Sequence, residues 1–153
     1  MDYTLLIFYA TLALGVSFLC SILEAVVLSM PHTHISVVQK EKSKVGAIWS
    51  KLKDDDAVRP LTAILTLNTI AHTMGAAGVG SQVQIIYGEE ALTIASIILT
   101  LAVLFLSEII PKTLGTAYWK QLAPVSGHIL SLMTSALAVI IVPIQWLKAI
   151  LPK

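Results

Sequence analysis

Uncharged, mostly apolar runs alternate along this chain with short polar stretches, and the lengths of the runs decide how it is read. From Tyr3 to Leu23 there is no charge, and with Glu24 tolerated the apolar character continues to Met30. A helix needs ~20 apolar residues to cross the hydrocarbon of a bilayer, so the pattern predicts a first spanning helix over about residues 3–30. This run is too long for a signal-peptide core and has neither a basic start nor a small-residue cleavage site, so it is expected to stay in the mature protein. Leu61 to Gly88 carries no formal charge and predicts a second span over about 61–86. Ala91 to Ser107 is again uncharged and predicts a third over about 91–113, with Tyr87-Gly88-Glu89-Glu90 as the turn between them. Pro31 to Arg59 differs sharply, bringing Lys40, Glu41, Lys42, Lys44, Lys51, Lys53, Asp54-Asp55-Asp56 and Arg59. There Ile35, Val38, Val45, Ile48, Trp49 and Leu52 recur at helical spacings, which predicts one or two amphipathic helices against the membrane face, over about 31–58. Trp49 suits the interface, and Tyr118-Trp119-Lys120 reads as an anchor there too. The last apolar run, Gln121 to Leu147, is interrupted by Pro124, Gly127 and Pro143.

Composition sharpens the class. At 153 residues, 56% hydrophobic and 12% charged, with mean hydropathy +0.84, this is an all-α integral membrane protein. The expected architecture is three transmembrane helices plus cytoplasmic-side juxtamembrane amphipathic or re-entrant helices. Ten basic residues and no basic aromatic surface exclude a nucleic-acid partner, and the lone Cys20 excludes an intrachain disulfide. The basic residues fall within 31–60, just after Pro111 and near the C-terminus, whereas Asp2, Glu89 and Glu90 mark the other side. Three spans then put the N-terminus outside and the C-terminus in the cytosol. A fourth crossing would send Lys148 and Lys153 outside. The favoured arrangement is therefore a re-entrant or in-plane helical pair over about 117–150, broken at Pro143.

Each predicted span carries a polar patch. Ser17, Ser21 and Glu24 stand at i, i+4 and i+7, on one face of the first helix. Thr66, Asn68, Thr69, His72 and Thr73 form a stripe on the second. The third ends in Ser107-Glu108-Ile109-Ile110-Pro111-Lys112, where proline has no N–H to offer and the carbonyl of Ser107 is left free beside a carboxylate. An ionisable residue within a membrane segment is costly and marks a functional site by default, against the alternative that Glu108 simply pairs with Lys112 one turn on. The serines have an alternative reading as small contact residues, and His72 one as an interhelical hydrogen bond. His32 and His34 do not face each other on a helix, and the three aspartates read as a solvated turn in preference to a second cation site. The pooled oxygens, with no cysteine cluster or histidine set, favour a hard cation, magnesium or calcium, which spacing does not distinguish.

Ser21-Ile22-Leu23-Glu24-Ala25, Leu67-Asn68-Thr69-Ile70 and Glu108-Ile109-Ile110-Pro111-Lys112-Thr113-Leu114 together resemble the transmembrane domain of the CorC and cyclin-M (CNNM) family of magnesium transporters. The likeness covers nearly the whole chain in order, and the Glu-Ile-Ile-Pro-Lys element is its specific part. It implies a three-span homodimer of the plasma membrane with an intramembrane Mg²⁺ site and sodium-coupled export. It also implies that Ser21, Asn68 and Glu108 belong to the ion site, with Ser17 and the Ser107 carbonyl as further ligands. Glu24, Thr69, Pro111 and Lys112 are assigned to the transport pathway. The chain departs from the family pattern at His72, where a second asparagine is usual, and at Ser107, where glycine is common. Family members continue into cytosolic CBS domains, which are absent here and are expected in the full-length chain. The competing functional class is a membrane Mg²⁺ sensor that moves no ion. An enzyme is not expected, since no nucleophile and base stand together.

Overall fold

The computed structural model describes residues 2–41 and 44–151, with the side chains of Asp55 and Asp56 also outside the description. Lys42 and Lys153, used above to orient the chain, thus lie outside the described residues, as does most of the acidic triplet's chemistry. The described residues are helical, without a strand: α1 (Thr4–Ser29), α2 (His32–Lys40), α3 (Lys44–Leu52), a 3-10 turn (Asp54–Ala57), α4 (Val58–Tyr87), α5 (Ala91–Ala117), α6 (Trp119–Ala136) and α7 (Ala138–Ile150). Just ahead of α1, Asp2 Oδ1 accepts the Thr4 N–H at 2.9 Å, and hydrogen bonds from Thr4 hold this carboxyl below its ordinary value. The Tyr3 and Tyr87 rings lie 6.5 Å apart, so α4 runs antiparallel to α1. Gly88, at φ 89°, takes the left-handed turn that starts α5 back the other way. The bundle has an acidic end, with Asp2, Glu89 and Glu90, and a basic end, where α1 and α5 finish.

Helices approach closely where glycines face small residues. A Cβ on Gly75 of α4 would sit 2.5 Å from that of Ala13 on α1, and one on Gly115 of α5 would lie 2.6 Å from Ala25 Cβ and 2.8 Å from the Ile22 carbonyl. Such contacts replace the hydrophobic drive that lipid cannot supply between membrane helices. By length and apolarity together, α1 and α5 qualify as spans among the described residues, and the α6–α7 pair only if its two parts count as one. At 30 residues, or about 45 Å, α4 has the length to cross, but its polar stripe lowers its apolarity.

The main core lies at the basic end, where Leu23, Val26 and Val27 of α1 meet Trp49, Leu52, Ile64, Leu130 and Ile141. Trp49 is therefore not an interface residue as its type and position predict. It is 1% exposed, and its indole N–H donates to the Ala123 carbonyl at 2.8 Å, because α3 turns its apolar face onto α6 rather than onto lipid. The Lys53 ammonium donates to the Val27 carbonyl at 3.0 Å, capping the last turn of α1 with a cation that also suits the helix dipole. His34 packs edge-on against Trp119 at 5.0 Å, with Lys120 over the same indole, which ties α2 to α6.

The final apolar run does fold as a bent pair, at 84°, but the break falls at Leu137 and not at Pro143. Pro143 sits within a continuous α7. Packing sets the bend: α6 buries Ala123, Ser126, Leu130, Met133 and Thr134, whereas only Ile141 of α7 is buried, so the chain turns where the face covered by the core ends.

Overpacking a close helix contact costs about 1–3 kcal/mol. Gly115→Ala is accordingly expected to lower the melting temperature in detergent by several degrees. Gly15→Ala, where nothing lies within 4 Å of the new Cβ, is expected to leave it unchanged or raise it. Differential scanning fluorimetry checks both.

Candidate functional site

Two of the long helices leave the α register in their membrane-embedded parts. Leu12–Val16 of α1 and Val103–Ile109 of α5 are π-helical, a local widening that redirects carbonyls and side chains. In α5 the π register ends with the Ile110 N–H bonded to the Phe105 carbonyl, immediately before Pro111, which has no N–H to give. The Ser107 carbonyl loses its α-helical donor, as the sequence predicts, but it is not free. The hydroxyl of Ser21 donates to it at 2.5 Å. The side chain of Ser107 reaches the other way, its Oγ donating to the Leu14 carbonyl in the π segment of α1 at 2.9 Å. Ser17, Ser21 and Ser107 are all buried, at 0%, 1% and 0% exposure.

The second helix joins through His72, whose Nε2 lies 2.7 Å from Ser17 Oγ. Since α1 and α4 are antiparallel, moving one turn from Ser17 to Ser21 corresponds to moving from His72 back to Asn68. That register sets Asn68 at the level of Ser21. Its Oδ1 is buried and makes no hydrogen bond. An amide oxygen left so costs about 1–3 kcal/mol, which marks Asn68 as a candidate site residue.

Glu108, on the π turn beside Ser107, is 26% exposed and lines a cleft of about 370 Å³ with His72, Ala13, Ala76 and Thr100. Its carboxylate is paired: Lys112 Nζ lies 3.1 Å from Glu108 Oε2 and 3.6 Å from Glu24 Oε2. The ion pair weighed against a metal role is therefore present, and it includes Glu24 as well. Pro111 is buried, one turn beyond the Ser107 carbonyl that Ser21 clasps, whereas Thr69 is exposed and stands apart from these contacts. Among the described residues no three His, Cys, Asp or Glu side chains group as metal ligands. A cation held here would rely on one carboxylate and neutral oxygens, the donor set of a hard ion.

His72 makes the interhelical hydrogen bond that its place in an apolar helix suggests, though its partner, Ser17, was not legible from spacing. The Leu14 carbonyl had no signal, because neither π segment is marked by composition.

The fold and this site define an all-α membrane domain with buried hydroxyls between its helices and an amide and a half-buried carboxylate on the same helices. Residues 8–153 match the cyclin M transmembrane N-terminal domain, and the chain belongs to that family. It is also similar to the UPF0053 protein sll1254 of Synechocystis sp., with 28% identity over 141 residues, 92% of this chain and 38% of that protein. The chain thus spans well under half the length of that curated relative.

If Asn68 serves a ligand rather than the fold, removing its amide should not harm the metal-free protein. Asn68→Leu, of similar volume, is expected to keep or raise the melting temperature measured in chelator. Ser21→Ala, which strips the Ser107 carbonyl of its donor, is expected to lower stability by about 1–2 kcal/mol.

Proposed function

We propose that this domain carries Mg²⁺ across the plasma membrane as a homodimer, exporting it in exchange for Na⁺, with cytosolic CBS domains following in the full-length chain. Family membership supports a metal-transport role. The observation that carries the reading within the site is the buried, unpartnered Asn68 Oδ1, one helical turn from the His72 that meets buried Ser17. In this reading Mg²⁺, the cargo, is held by Glu108, Asn68 Oδ1, the Ser17 and Ser21 hydroxyls and the Ser107 carbonyl. A carbonyl has two lone pairs, so that of Ser107 can accept from Ser21 and still ligate. Glu108 supplies the charge that offsets lost hydration, while the neutral oxygens set the cage size. Mg²⁺ requires near-octahedral oxygens at about 2.0–2.1 Å and tolerates altered geometry less than Ca²⁺ does. The clasp at Ser107 holds the two π turns together, and the cleft lined by His72 and Glu108 is the approach.

Glu108→Ala is expected to abolish Mg²⁺ binding in calorimetry on monodisperse protein, and Asn68→Ala to weaken Mg²⁺ more than Ca²⁺. Unchanged affinity in both variants contradicts the site. Flux into liposomes separates the two functional classes: Mg²⁺ movement driven by a sodium gradient is expected, and binding with no flux under any gradient identifies a sensor.

In this reading the N-terminus lies outside and the C-terminus in the cytosol, with α6 and α7 re-entrant. Single cysteines introduced at residues 2 and 153 of a Cys20→Ala variant test this with an impermeant thiol reagent on intact cells. Labelling at residue 2 alone is expected. Labelling at both establishes a further crossing.

A further inference from the structure

We propose that Lys112 is a tethered counter-cation of the site: its ammonium holds Glu108 and Glu24 together when no metal is bound and must leave Glu108 when a divalent ion enters. This rests on the reading of Glu108 as a metal ligand. The geometry is specific. Lys112 lies one turn beyond Glu108 on α5, and its Nζ reaches Glu108 at 3.1 Å and Glu24, across on α1, at 3.6 Å. The engaged trio carries one net negative charge, whereas the two carboxylates alone carry two. A divalent ion bound to Glu108 would meet the ammonium at close range, and the repulsion makes simultaneous occupancy unfavourable. The lysine has somewhere to go: its side chain is 45% exposed, its stem is flexible, and Glu24 offers it a second carboxylate at 3.6 Å.

The arrangement does two things for a carrier. It spares an ion-free site two unneutralised carboxylates within the membrane, a costly state for a protein that must empty itself in each cycle. It also sets a threshold for entry, since an incoming ion must compete with a cation already in place. A monovalent ion gains less at Glu108 than a divalent one does, so the lysine discriminates by charge while the oxygen cage discriminates by size.

The test uses Mg²⁺ calorimetry at fixed ionic strength on wild type, Lys112→Gln and Lys112→Ala. Both variants are expected to bind Mg²⁺ more tightly, by several-fold to about tenfold, the scale on which a partly exposed charge pair acts. Added methylammonium is expected to weaken Mg²⁺ binding to Lys112→Ala back towards the wild-type value and to leave wild type unaffected. A lysine that only braces α5 against α1 would give the reverse: weaker binding with lower stability, and no response to methylammonium. Wild-type or weaker affinity in folded Lys112→Gln overturns the proposal while leaving the metal site standing. Absence of Mg²⁺ binding to wild type overturns both. Should Lys112→Ala fail to fold, Lys112→Gln decides on affinity, with Lys112→Arg expected to bind no more tightly than wild type because its charge remains.

Discussion

Pro111 has no N–H, and much of this structure follows from where the missing donor is made good. In hydrocarbon an unpaired backbone carbonyl has no water to turn to and costs several kcal/mol, so the Ser107 carbonyl has to find a partner within the protein. The hydroxyl of Ser21 supplies it at 2.5 Å, from a different helix. A proline that would otherwise weaken one span thereby becomes a cross-link between two. Ser107 returns the contact through its own hydroxyl to Leu14. The resulting clasp joins one π segment to the other and holds Ser17 where His72 of α4 reaches it. Three helices are thus tied at one depth by groups whose oxygens are suited to a hard cation.

Packing on either side of the clasp is unequal. Towards the basic end α1 packs against α4, α5 and α6, and Val26, Val27, Trp49 and Leu130 share one core there. Around the clasp α5 is almost bare, with Ile97, Ile98, Leu101, Phe105 and Leu106 exposed to whatever surrounds the protomer. The polar cluster therefore sits between a well-packed base and a thin wall, and α5 is held to α1 on the basic side, where Gly115 lies against Ala25 and Ile22. The Lys112 bridge to Glu24 joins those same two helices.

Much of this was legible from spacing. The uncharged runs mark the long helices, and the i, i+4 pattern of Ser17 and Ser21 marks a face that is indeed buried. Pro111 after Glu108 correctly locates a carbonyl without its usual donor. What failed to show was tertiary. An amphipathic pattern says that α3 has an apolar face, but not whether lipid or protein covers it, and Trp49 went to the protein. Pro143 is a local signal for a break, yet the bend came at Leu137, where buried contacts run out rather than where a donor is missing. His72 and Thr69 belong to one stripe in the sequence, and only the rotation of α4 against α1 separates the residue that meets Ser17 from the one left exposed.

The account turns on the three-helix cluster being the place where a divalent ion is held. A structure determined in Mg²⁺, at a resolution that gives metal-to-oxygen distances, tests this most directly. The expected result is one ion at about 2.0–2.1 Å from the Glu108 carboxylate, Asn68 Oδ1, Ser21 Oγ and the Ser107 carbonyl, with Lys112 withdrawn from Glu108. An ion elsewhere, such as at the acidic turn around Asp54, with Asn68 still unpartnered and the Glu108 to Lys112 pair intact, would contradict it.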